Sequence, residues 1–166
     1  LDWPQEKLTL VVGSLLKLVA IGTIADVVPL IGENRIFVKF GLEGLRDPRN
    51  LGLKALLDVA GFSSTSPPSA GSIAFRVAPR INAAGRMDTA RDVVELFATN
   101  DPLRASNIAA KLDRLNTDRQ RAEEVALREI HERLRDIPTP PQLSVIVEVG
   151  EGWHAGVIGI VASRIV

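Results

Sequence analysis

Apolar residues recur at helical spacing over residues 7–22, where Leu8, Val11, Val12, Leu15, Leu16, Val19 and Ala20 make one broad face. Gly22 is expected to close this helix. Pro29 bars further helix, so "TIADVVPLIGENR" reads as a loop or short extended piece. A second helix is predicted over 33–45, with Ile36, Val38, Phe40 and Leu42 available for burial, and a third over 51–60, ended by Gly61. "FSSTSPPSAGS" carries turn residues and no charge and reads as a loop. A short helix over 69–78 is predicted to stop at Pro79, leaving "RINAAGR" in a loop before a helix over 89–98.

The clearest element begins at Asp101-Pro102, a helix-start pair, after which no Gly or Pro occurs until Pro138. Ile108, Leu112 and Leu115 form an apolar stripe. Ala122, Val125, Ala126, Ile130 and Leu134 resume it beyond a polar gap at 116–121. A helix with an interrupted stripe packs at its two ends and is solvated between them, as a bridge between two lobes is. "PTPP" is a stiff linker. "QLSVIVEVG" follows as a strand whose nearly continuous apolar run suits burial on both faces. "EGWHAG" is a turn, and "VIGIVASRIV" opens another helix. Strand, glycine turn and helix are how an α/β domain starts, so the fold class is α/β overall with a helix-rich first part.

Composition narrows the function classes. The 166 residues are 46% hydrophobic and 24% charged, a globular balance. Lysine plus arginine (20) equals aspartate plus glutamate (20), which argues against coating duplex DNA by bulk charge but allows local anion binding. With no cysteine, disulfides, thiolate zinc sites and a cysteine nucleophile are excluded. His131 and His154 are too few for a histidine-built metal cage. No uncharged apolar run approaches about 18 residues, so no membrane partner is expected, and a cytoplasmic location follows as the default. The chain opens without methionine and closes on an apolar run, so both ends read as cuts through a longer protein.

Asp26 is a lone carboxylate in the apolar stretch "GTIADVVPL". It reads either as a turn or capping aspartate or as a metal ligand or acid/base residue; either way an apolar setting demands a partner. "RVAPRINAAGR" reads either as a solvated surface loop or as an anion site. In the second reading, Arg80 and Arg86 present planar donors matched to phosphate, Asn82 adds a neutral group, and Gly85 permits close backbone approach. His154, beside Trp153 and just ahead of a helix, suits either helix capping or an anion at that N-terminus. His131 reads as solvated, and Ser163 and Arg164 as structural.

"AIGTIADVVPLIGENR", "FRVAPRINAAGRM" and "GEGWHAGVIGIVASR", in this order and joined by one long helix, closely resemble the RecJ family of single-strand-specific 5′→3′ DNA exonucleases, within the DHH phosphoesterase superfamily. The resemblance implies that residues 1–100 are the C-terminal part of a DHH catalytic domain, 101–137 a connector helix, and 138–166 the start of the DHH-associated domain. It implies that Asp26 is a catalytic ligand of a two-metal Mn²⁺ or Mg²⁺ site, and that Arg86 is catalytic as well. Arg76, Arg80, Asn82, Arg86 and His154 would meet the single-stranded DNA, with Gly85, Trp153 and Gly156 shaping the loops around it. The Asp-His-His triplet, the earlier aspartate motifs and the later glycine-rich segment of the family are absent, and Ala155 stands where the family usually has proline. One carboxylate cannot hold two metals, so the fragment is expected to be inactive alone and to self-associate through an uncovered apolar face. A non-catalytic nucleic-acid-binding or replication-scaffold relative is the alternative. A smaller DHH phosphoesterase of short oligonucleotides or cyclic dinucleotides fits the long connector less well.

Overall fold

The computed structural model describes residues 3–62, 68–135 and 145–165. Helix α1 (Gln5–Ala25) packs along α2 (Gly32–Gly44), and α3 (Leu51–Val59) follows after a short turn. A helical turn α4 (Ala70–Ser72) leads through a π-helical stretch (Ile73–Val77) into α5 (Ala78–Met87). Helix α6 (Arg91–Ala98) then precedes the long α7 (Pro102–Leu134), and α8 (Ala155–Ile165) lies back on the far half of α7.

The caps are written into the sequence. Asn50 caps α3 by accepting from the Leu53 N–H at 2.9 Å, and its amide donates to the Phe97 carbonyl at 2.8 Å, tying α3 to the end of α6. Ser69 and Ser72 form a reciprocal capping box. Asp101 accepts from the Leu103 and Arg104 N–H groups with Pro102 in the first turn. Gly52 lets α3 close on α6, since a Cβ there would overlap the Leu96 carbonyl oxygen.

Among the described residues, two apolar clusters hold the helices together, and α7 belongs to both. Its first half contributes Ala105, Ile108, Ala109 and Leu112 to the larger cluster, with Ile21, Ile24, Leu53, Leu56, Ile73, Val77 and Leu96. Its second half contributes Ala126 and Ile130 to a smaller one with Val157 and Val161 of α8. The interrupted stripe therefore packs at both ends, as its pattern predicts.

Four local expectations are corrected. Gly22 does not end α1, which runs to Ala25; a single glycine is tolerated inside a helix, and the chain turns only at Val27, whose φ of 56° lies in the left-handed region. Pro79 does not stop the helix. It sits in the first turn of α5, and the preceding turn widens so that the Ala78 N–H bonds to the Ile73 carbonyl, which accommodates the missing proline donor. "RINAAGR" is accordingly helical, not a loop. No strand forms among the described residues: 145–150 have no ladder partner, and Val145, Val147 and Val149 are exposed rather than buried on both faces. Residues 142–144 of that expected strand and the linker at 138–141 lie outside the described residues.

Helix α1 is long and apolar enough to cross a membrane by length and composition, because one internal lysine (Lys17) does not remove that character. Its inner face (Ala20, Ile21, Ile24) is buried, while Leu8, Leu10, Val12, Leu15 and Val19 are exposed.

Candidate active-site cleft

An open cleft of ≈ 700 Å³ lies between the C-terminal half of α1 and α5. Its walls include Leu18, Ile21, Gly22, Ala25, Ile81 and Phe97, and its polar residues are Asp26, Asn82 and Arg86. The sequence separates Asp26 from Arg86 by sixty positions; the α1–α5 packing places them around one space. Asp26 reaches it as the C-terminal cap of α1, where its N–H bonds to the Gly22 carbonyl at 3.0 Å and its side chain stays exposed. Val27 next to it holds a left-handed backbone that a β-branched residue adopts only at a cost, on the order of 1–3 kcal/mol. That strain sits one residue from the carboxylate and was not legible as a sequence pattern.

Helix periodicity sorts the arginines. Asn82 and Arg86, four residues apart, share the exposed cleft side of α5. Arg80 faces away from it. Its Nε donates to Asp113 Oδ1 of α7 at 2.8 Å, its Nη1 donates to the Arg76 carbonyl, and its Nη2 meets Asp113 Oδ1 at 2.7 Å. This guanidinium ties α5 to α7. The Arg76 guanidinium lies 4.2 Å from the Phe62 ring centroid, a cation–π contact. Gly85 is helical, and a Cβ there would meet nothing within 4 Å.

The first turn of α8 borders the same helix. Gly156 lies so near α5 that a Cβ would overlap the Arg86 carbonyl oxygen, and Arg86 Nη1 donates to the Gly156 carbonyl at 3.4 Å. His154 Nδ1 accepts from the Gly156 N–H at 3.1 Å, which makes it the cap of α8 and leaves Nε2 as the ring nitrogen for any ligand. Trp153 packs against the smaller cluster, donates from Nε1 to Glu129 Oε2 at 2.8 Å, and has the Arg133 guanidinium 5.6 Å from its ring centroid. His131 is exposed, as expected.

Two charge clusters brace the surroundings. Lys111 of α7 bridges Asp88 and Asp92 at 2.6 Å each, and hydrogen bonds to both carboxylates raise its pKa above the usual lysine value. Glu95 pairs with Arg104, which holds the carboxyl below its usual range and raises the guanidinium in turn. Sequence reasoning missed a third group, the buried pair Asn116 and Glu123 within and just beyond the polar gap of α7; the Arg119–Glu123 spacing of four residues was its only signal.

Among the described residues, no three acidic or histidine side chains converge as a metal site would need. Asp26 is a hard oxygen ligand suited to Mg²⁺ or Mn²⁺, but it supplies one ligand of a larger set.

No family model matches the chain. It is 40% identical over 152 residues to the single-stranded-DNA-specific exonuclease RecJ of Bacillus subtilis (strain 168), covering 92% of this chain and 19% of that protein. It is also 40% identical over 158 residues to the RecJ of Escherichia coli (strain K12), covering 91% of this chain and 26% of the other. The fold agrees: the RecJ crystal structure with Mg²⁺ from Thermus thermophilus superposes with a TM-score of 0.80 at 40% identity, over 92% of this chain and 23% of that one. Over about nine tenths of its length the chain is similar to a segment of RecJ. It spans about a fifth to a quarter of the length of these curated RecJ relatives. A further RecJ structure, an exonuclease bound to manganese, matches with a TM-score of 0.81 at 40% identity, over 92% of this chain and 37% of that one.

Proposed function

We propose that this chain is a segment of a metal-dependent exonuclease that degrades single-stranded DNA from the 5′ end. In this reading, residues 1–100 are the C-terminal part of the catalytic domain, 101–137 the connector helix, and 138–166 the beginning of the DHH-associated α/β domain. The protein would act in repair and recombination in the cytoplasm. The observation that carries the reading is the convergence of Asp26, Asn82 and Arg86 on one cleft. The solved relatives bind Mg²⁺ or Mn²⁺; such ions activate water and offset charge developing on a phosphate.

Each residue then has a role that its position supports. Asp26 offers an exposed carboxylate oxygen as one metal ligand. Arg86 and Asn82 donate to phosphate oxygens of the strand lying in the cleft, and Arg86 stabilises the charge that builds up as the phosphodiester bond breaks. His154 adds a donor from the α8 side. With a single carboxylate the chain by itself is inactive, because divalent ions of this kind take six or more ligands. The exposed apolar face of α1 is covered by the rest of the protein rather than by a membrane, and promotes self-association when the chain is isolated.

A chimera tests this directly: the Bacillus subtilis RecJ with its corresponding segment replaced by this chain. Mn²⁺-dependent digestion of 5′-phosphorylated single-stranded DNA should be retained, and should fall at least about a hundredfold with Asp26→Ala or Arg86→Ala. A chimera that binds the strand without cutting it, or that ignores both substitutions, would overturn the proposal.

A further inference from the structure

The α7–α8 contact contains a line of polar groups that the cleft does not use. Glu123 is buried, its side chain 4% exposed, and its Oε2 accepts from Arg119 Nη1 at 2.8 Å one turn earlier in α7. Arg119 Nη2 donates in turn to the buried Asn116 Oδ1 at 3.3 Å. The other oxygen of Glu123, Oε1, lies 2.7 Å from Arg164 Nη1 of α8, an ion pair whose alignment falls short of a hydrogen bond. Around this line the interface is apolar and made of small or branched side chains: Ala126, Ile130, Val157 and Val161.

A buried carboxylate is a poor way to gain stability there, since desolvation offsets most of the attraction and an apolar pair would pack as well. What it adds is registration. A face of alanine, valine and isoleucine fixes little of its own register, whereas the Glu123–Arg164 ion pair favours the one in which the two groups meet. At the other end of α8 the Trp153–Glu129 hydrogen bond ties down the entering turn. Between these two fastenings sits Gly156, held against the Arg86 carbonyl closer than any side chain allows. The register of α8 thus sets how α8 meets the residue that lines the cleft.

We propose that Glu123 is a positioning residue: by holding Arg164 it sets the register of α8 on α7 and, through Gly156, the placement of Arg86. The placement stands on geometry alone; only its consequence for phosphate contact rests on the function proposed above. Nuclear magnetic resonance of this chain reads it without reference to activity. The amides of Val157 and Ile158, both bonded to the His154 carbonyl, report α8 docking, and the Arg86 Nε–H resonance reports its placement. Glu123→Gln and Arg164→Met should each reduce protection of those amides by about tenfold or more and move the Arg86 resonance. The double variant should be no worse than either single one, while the amides of Ala109 and Leu112 stay protected. Unchanged α8 protection and an unmoved Arg86 signal would overturn the proposal, as would strictly additive losses. If Glu123→Gln unfolds the chain, Arg164→Met decides alone, since it alters a side chain that is 59% exposed. Neither overturning result bears on the chimera experiment, so the two proposals fail separately.

Discussion

Replacing Arg80 and Arg86 in turn separates an arginine that holds the fold from one that serves the cleft. Arg80 is 18% exposed, and its partner Asp113 is 42% exposed. Arg80→Met keeps much of the apolar stem but deletes the paired donors to Asp113 and the bond to the Arg76 carbonyl. A fully buried pair broken on one side would cost about 3–5 kcal/mol. Asp113 can rehydrate and so can the freed carbonyl in part, which brings the expected loss to about 2 kcal/mol. At roughly 2 kcal/mol per molar urea, that lowers the unfolding midpoint by about 1 M, read by circular dichroism at constant pH and salt. Arg86→Met removes an exposed side chain with one long hydrogen bond, so its stability should stay within about 0.5 kcal/mol of the parent. The reverse pattern, with Arg80→Met neutral and Arg86→Met damaging, would refute the division of the arginines between core and cleft.

Other perturbations have equally definite outcomes. Gly52→Ala drives a Cβ into the Leu96 carbonyl and should destabilise by about 2 kcal/mol or more, whereas Gly13→Ala, with open space around it on α1, should stabilise by roughly 0.5–1 kcal/mol in the same urea assay. Val27→Gly relieves the left-handed strain and should raise the midpoint by the equivalent of about 1 kcal/mol; no gain would mean the turn carries no strain. The pKa of Lys111 is raised on folding, so its contribution is fully present below the unfolded value near 10.5 and is lost as pH rises through the folded one. Urea midpoints of the parent should therefore fall over that alkaline window more steeply than those of Lys111→Met, and parallel pH profiles would show that the bridge to Asp88 and Asp92 contributes nothing.

Helix content, the long α7 and its packing at two ends were legible because apolar spacing and capping residues act over a few positions: Asn50, Asp101-Pro102 and the 108–112 and 126–130 stripes need no distant information. The similarity to RecJ was legible because short blocks of residues keep their order along the chain. What only the tertiary structure decided is which member of each block faces what. "RINAAGR" became helix because the turn before Pro79 could widen, and once helical, the 3.6-residue period sent Arg80 to Asp113 and Arg86 to the cleft. Gly156 gained its role from a carbonyl seventy residues away, and Glu123 from a helix that local periodicity could not place. The apolar run at 145–150 carries strand propensity, yet a strand exists only where another backbone supplies the ladder. Local propensity is a property of a segment. Facing, pairing and burial belong to the packed chain.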